Sequence, residues 1–216
     1  MFIELAGALR CPRIHDQSWL VLSADRIENR NVLEGLLGCP VCHAQFPIVN
    51  GTADLRLRPD QASGDATTRG ASGAVDPDGA LRLAAMLNLD GAGGYVVLMG
   101  EWARHASALL QLVDVHLMLI NAPTDVVAAP GCSSLLADDR LPLVTGGTRG
   151  AAIDHAASPV LRADAVRLLK VKGRLVGPHS APIPEGVTEL ARDAECWVAE
   201  RGLSRELLAS IGRRRG

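Results

Sequence analysis

The sequence predicts an α/β fold: a mostly parallel sheet flanked by helices, with a small cysteine-bearing β unit ahead of it. Short apolar runs of strand length alternate with amphipathic stretches of helical length through the later part of the chain. A stretch nearly free of large apolar residues separates that part from what precedes it. Three of the five cysteines fall within the first 42 residues of a 216-residue chain. Aromatic residues make up only 3% of the sequence against 48% hydrophobic, so the core must rest on Leu, Val, Ile and Ala. That mix suits helices packed on a parallel sheet.

In the first unit, Trp19 to Leu22 and Phe46 to Val49 read as strands, the second closing on Asn50-Gly51, a strong turn signal. Arg26 to Leu37 reads as a short helix between them. Residues 59–79 (PDQASGDATTRGASGAVDPDG) hold Val75 as their only large apolar residue and read as a flexible linker. The chain is thereby divided into a β unit at 1–58 and an α/β unit at 80–216.

The second unit alternates. Ala80 to Leu89 is helical, with Asp78 offered as its N-cap, and Tyr95 to Met99 is a buried strand. Trp102 to Val113 is helical and Val115 to Ile120 a strand. Leu141 to Val144 and Ala151 to Ile153 are strand candidates around the Gly146-Gly147 turn. Arg162 to Leu169 is helical, and Arg174 to Val176 is a strand opened by Lys172-Gly173. Such an order points to βαβ units.

Charge and hydropathy narrow the function. The net charge of −2 gives no global attraction to nucleic acid, and Arg213 to Arg215 read as a solvated tail. No stretch approaches the ~20 apolar residues of a membrane span. The first residues lack the basic start and apolar centre of a signal peptide. An odd cysteine count concentrated at one end suits metal ligation in a reducing compartment, and the expected location is the cytoplasm.

Cys39-Pro40-Val41-Cys42 is a knuckle that lets two thiolates face one metal ion. Cys11-Pro12-Arg13-Ile14-His15 supplies a third thiolate and an imidazole, across the intervening residues 16–38. The expected ligand set is Cys11, His15, Cys39 and Cys42 on zinc. A regular knuckle would place its second ligand at Ile14, so Asp16 and His43 compete with His15 for the fourth position. A metal-free unit keeping its cysteines as small buried hydrophobes is one alternative, and a redox CxxC is the other, though no thioredoxin-like βαβ unit surrounds it.

CPRIH followed by LLGCPVCHAQFPIVNGTADL resembles the zinc-ribbon family that includes the activator subunits of tRNA methyltransferases. The elements that carry the likeness are the second CPxC, Phe46-Pro47-Ile48, Asn50-Gly51 and Leu55, all within the first 58 residues. The resemblance implies a zinc-ribbon-like β domain that docks on a methyltransferase.

The later part resembles class I S-adenosylmethionine-dependent methyltransferases, which implies a Rossmann-like sheet. LRLAAMLNLDGAGGYVVLMG is similar to that family's leading helix, first strand and glycine turn. LPLVTGGTRGAAIDHAAS is similar to its segment around strand four, LLKVKGRLVGP to the approach to strand five, and ELARDAECWVAERG to its close. The family's cofactor turn is an acid, any residue, then GxGxG, whose glycines let main chain approach the cofactor. Here Gly100 remains, but Trp102 and Arg104 replace the later glycines, Leu98 replaces the acid, and Asn121 stands where strand two would end in Asp or Glu. Gly100 and Asn121 are therefore vestigial cofactor-binding positions, and an indole needs the volume a nucleoside would fill.

Other candidate chemistry is sparse. Asp154-His155 follows strand four, and Glu101, Arg104 and His105 would share a helix face; both read as structural. Cys132 and Cys196 lack ligand-spaced neighbours, and Gly146, Gly147 and Gly150 form a turn, since no GK[ST] follows. The sequence thus predicts a pseudo-methyltransferase with its own zinc ribbon, working through contacts with another protein, either a methyltransferase or a second copy of itself. Zinc is the expected cofactor. S-adenosylmethionine, a membrane and nucleic acid are not expected. The rivals are an active methyltransferase with an atypical turn, and a module binding another metabolite in the vestigial cleft.

Overall fold

The computed structural model describes residues 1–57 and 77–202. The Arg213 to Arg215 tail and residues 59–76 of the expected linker lie outside them. Residues 77–79 are not linker: they open helix α1 (Pro77–Met86), with proline in its first turn and Asp78 inside the helix rather than capping it.

The first unit is all strand and 3₁₀ turn. Its strands are β1 (Val21–Glu28), β2 (Asn31–Gly38), β3 (Gln45–Val49) and β4 (Thr52–Asp54), paired antiparallel in order. The helix expected from Arg26 to Leu37 is instead the last three residues of β1, the turn and most of β2. Asn29 and Arg30 both take positive φ, 47° and 64°, which makes the two-residue hairpin turn that right-twisted strands favour. Asn50 and Gly51, at 49° and 79°, make the expected turn between β3 and β4.

The second unit supplies β5 (Tyr95–Met99), β6 (His116–Ile120), β7 (Cys132–Leu136), β8 (Thr148–Ala152), β9 (Leu169–Pro178), β10 (Val187–Arg192) and β11 (Cys196–Arg201). Its helices are α1, α2 (Ala106–Leu112) and α3 (Pro159–Leu168), the last capped by the Ser158 side chain. A 3₁₀ segment, Gly100–His105, occupies the start of the helix expected from Trp102. Leu141 to Val144 is not a strand. Pro142 interrupts it, leaving one bridge between Leu143 and Leu9 and the bonds Arg10 N–H to Pro142 O and Val144 N–H to Ala8 O, each 2.9 Å.

All these strands form one 11-stranded sheet, ordered β1-β2-β3-β4-β7-β6-β5-β8-β9-β11-β10. The centre, from β4 through β9, is parallel; the N-terminal strands and the β9-β11-β10 edge are antiparallel. The joint is β4 on β7, with Thr52, Ala53 and Asp54 opposite Ser134, Leu135 and Leu136. Alternate residues of the central strands serve two cores. Val97, Met99, Met118 and Ile120 face a layer containing Leu5, Leu9, Leu37, Phe46, Ile48 and α3, whereas Val96, Leu98, Leu117 and Leu119 face α1 and α2. Burial on both faces explains why β5 and β6 read as unbroken apolar runs. No helix among the described residues is long and apolar enough to cross a membrane.

His116 marks the seam between the units. Its ring stacks on Phe2 at 4.9 Å and meets Tyr95 edge-on at 5.7 Å, while Nε2 lies 2.9 Å from Ser133 Oγ. Ser133 Oγ in turn accepts the Phe2 N–H at 2.9 Å. Burial, then the nearby charge of the Met1 amino group, holds the imidazole below its ordinary 6.5. The folded chain therefore binds fewer protons than the unfolded one just below that value, so this contribution to stability falls as the pH drops through 6.5. Urea unfolding should show a lower midpoint at pH 5 than at pH 7.5, and His116→Phe should flatten that dependence. An unchanged pH slope in the variant would remove His116 as its source.

Candidate metal centre and the closed cleft

Ligand atoms of Cys11, His15, Cys39 and Cys42 lie within 4.8 Å of one another and could hold a metal ion. Cys11 and Cys39 are buried, at 5% and 3% exposure; His15 and Cys42 are half-buried. Cys11 and Cys42 sulfurs are 3.7 Å apart, and Cys39 Sγ is 3.5 Å from His15 Nε2. A tetrahedral zinc ion with bonds of about 2.3 Å to sulfur and 2.05 Å to nitrogen requires edges of about 3.8 and 3.6 Å. The donor set therefore suits zinc in chemistry, and these two edges match a tetrahedral ion in spacing.

Local structure explains how the longer first knuckle still closes. Ile14, the extra residue, turns outward and is 97% exposed, which lets His15 reach back to the cluster. His15 Nδ1 lies 2.5 Å from the Asp16 carbonyl oxygen; a proton there leaves Nε2 bare for the metal. Neither the Asp16 carboxylate nor the His43 ring joins the group.

The thiols are unequal. Burial opposes ionisation of Cys39, but the N–H groups of Cys42 and Val41 and the neighbouring thiols outweigh it and draw Cys39 down to about 6. Cys11 is pushed up to about 12, first by burial, against a backbone N–H from Arg13 and with its thiol neighbours adding to the rise. One sulfur of the pair is thus prepared as a thiolate ligand, and a bound cation would favour ionisation of the others.

Gly100 and Asn121, the expected cofactor positions, directly follow β5 and β6, and Asp154 lies just beyond β8. Gly100 keeps a left-handed φ of 54°, but the Asp154 carboxylate packs against it so closely that a Cβ there would lie 1.6 Å from Oδ2. Asp154 also accepts from Glu101 N at 3.2 Å and Ala156 N at 3.1 Å, while His155 points into solvent. The Trp102 indole N–H donates to the Ile153 carbonyl at 3.0 Å, pinning the ring over the end of β8. On the other side, Arg104 donates to both oxygens of Asp125, at 2.7 and 3.1 Å, and to Glu101 at 2.7 Å. That pairing holds the Asp125 carboxyl below its usual range.

Asn121 is also engaged. Its amide donates to Ala137 O at 2.8 Å and accepts from Ala137 N at 3.0 Å, clipping β6 to the chain after β7. Arg104–Asp125 and the Asn121 clip had no signal in the sequence, because their partners are set by the fold. Two surface cavities among the described residues, one near Arg13, Phe46 and Arg56 and one near Pro159, Arg162 and Ile183, are not lined by Gly100, Trp102, Asn121 or Asp154.

No protein-family model matches the chain, and no curated protein sequence matches it. Among solved structures it is similar to a methyltransferase from Silicibacter pomeroyi (17% identity, TM-score 0.43), over 59% of this chain and 93% of that one. It is similar to one from Methanococcus maripaludis at 9% identity and TM-score 0.43, over 64% and 98%. It is also similar to a chain from the Haloferax volcanii complex of the Trm112 methyltransferase activator with a methyltransferase. There the identity is 17% and the TM-score 0.38, over 45% of this chain and only half of that chain's length. With TM-scores below 0.5 in these three, the strand order given above describes the fold better than likeness does.

Proposed function

We propose that this chain is a non-catalytic methyltransferase-like protein that carries its own zinc ribbon and acts through contacts with another protein. The methyltransferase-like reading is supported by register: the segments likened to strands one, four and five are the first, fourth and fifth strands counted from β5. The closing segment forms β10 and β11. The non-catalytic reading is carried by one observation, the Trp102 indole bonded to Ile153 O where a nucleoside would need bare main chain.

Zinc, held by Cys11, Cys39, Cys42 and His15 Nε2, would act structurally, since four protein ligands leave no open position for a substrate. Its ribbon lies against the chain's own sheet through β4 and β7, so that edge of the sheet is already used. The surfaces left for a partner belong to the combined unit.

The test is the double variant Trp102→Gly/Arg104→Gly, titrated with S-adenosylmethionine beside the unchanged chain. The variant should gain measurable affinity, on the order of tenfold per contact regained at ~1–3 kcal/mol each. An unchanged chain that binds as tightly as the variant would overturn the reading in favour of an active enzyme with an atypical turn.

A further inference from the structure

We propose that Cys11 and Cys42 form a redox modification site: a hydroperoxide oxidises Cys42, and Cys11 closes on it as a disulfide between the two knuckles. The proposal shares its thiols with the metal reading but does not require a bound ion.

Exposure selects the first residue to react. Of the five cysteines, Cys42 alone is not buried, so an oxidant arriving from solvent meets it first. Proximity selects the second. Cys11 Sγ is 3.7 Å from Cys42 Sγ, although the two residues are 31 positions apart. Cys39 Sγ also lies within 4.8 Å of both sulfurs, but it is engaged at 3.5 Å by His15 Nε2 and by the N–H groups of Val41 and Cys42. Cys132 and Cys196 are enclosed in the core beneath α1 and α2, away from the knuckles.

The steps balance. The Cys42 thiolate attacks one oxygen of the hydroperoxide and the O–O bond breaks. The leaving oxygen takes a proton and departs as alcohol or water, leaving Cys42 as a sulfenic acid. The Cys11 sulfur then attacks the Cys42 sulfur as the S–O bond breaks; the departing hydroxide takes the Cys11 thiol proton and leaves as water. Two thiols have lost two electrons and the hydroperoxide has gained them. Shortening 3.7 Å to a bond of about 2.05 Å asks for a shift of under ~2 Å. Cys11 belongs to the core, so the movement falls to the Cys42 knuckle, whose tip faces solvent with Val41 57% exposed. A disulfide would remove two of the four donors and release any bound ion.

The experiment treats the purified full chain with hydrogen peroxide, then maps thiols by alkylation and peptide mass. Two of the five thiols should be lost as a Cys11–Cys42 linked peptide, restored by dithiothreitol, and Cys42→Ser should leave Cys11 free. A Cys39–Cys42 link, or Cys42 oxidised to the sulfinic acid beside a free Cys11, would overturn the proposal. So would zinc retained in a linked chain. Metal content measured before oxidation keeps the two readings apart: a zinc-free chain that still forms the link retains this proposal and loses the metal one.

Discussion

Cys39→Ser is expected to abolish stoichiometric zinc binding and to cost more than about 4 kcal/mol of stability in the first unit. Cys39 is 3% exposed and is the sulfur most readily ionised, so serine would leave a buried hydroxyl where a thiolate ligand belongs. The unit's own core is small for its size, and its remaining support is the layer and the β4–β7 pairing it shares with the α/β unit. The effect should extend into the α/β unit. Cys11 follows Arg10, whose N–H bonds Pro142 O, and Ala8 O accepts the Val144 N–H. Hydrogen exchange at the Arg10 and Val144 amides should therefore quicken in the variant and in chelated wild type. Zinc content of one ion per chain falling to none is the primary readout; a variant that keeps its zinc and its exchange pattern would remove Cys39 from the ligand set.

Gly177→Ala should be the most damaging single change in the second unit. A Cβ at Gly177 would lie 2.2 Å from Trp197 Cζ2, with two further ring atoms at 2.7 Å. Backbone pairing across β9 and β11 fixes Gly177 opposite Trp197, so neither main chain can retreat. The ring cannot swing away either: Trp197 is fully buried and its indole N–H donates to Ala181 O at 2.9 Å. Overpacking of this kind costs about 3 kcal/mol or more. The urea midpoint should fall without a change in slope. Adding Trp197→Phe should recover part of the loss, because a smaller ring vacates the space the methyl needs. A Gly177→Ala chain with the parent midpoint would show that the close approach of ring and glycine does not govern stability.

The fold was legible where chemistry alone dictates structure. Tyr95 to Met99 and Val115 to Ile120 had to be buried on both faces to be so largely apolar, and they contain all of β5 and β6. The cysteine pattern was legible for the same reason, since ligand spacing is a chemical constraint. His15 comes within reach of the three sulfurs only because Ile14 turns outward. What failed depended on partners. Leu33, Leu36 and Leu37 lie at helical spacing, yet Asn29 and Arg30 make a hairpin turn and the leucines join β2. Asn29 was the available signal. Strand β7 is short and carries two serines, Ser133 and Ser134, among its five residues. Ser133 can be buried because Phe2 and His116 bond it, from distant parts of the chain. Three-residue β4 is a strand only because β3 and β7 flank it. Trp102 was legible as a bulky residue in the turn after β5, whereas its bond to Ile153 O and the pairing of Arg104 with Asp125 were not.

Calorimetric titration of the unchanged chain with S-adenosylmethionine, and with its demethylated product, measures whether the end of β5 accepts a nucleoside. With Trp102 pinned to Ile153 and Asp154 seated on Gly100, no heat of binding should appear at ligand concentrations up to about 1 mM, equivalent to about −4 kcal/mol. A saturable isotherm in the micromolar range would contradict that account and return the chain to the enzymes.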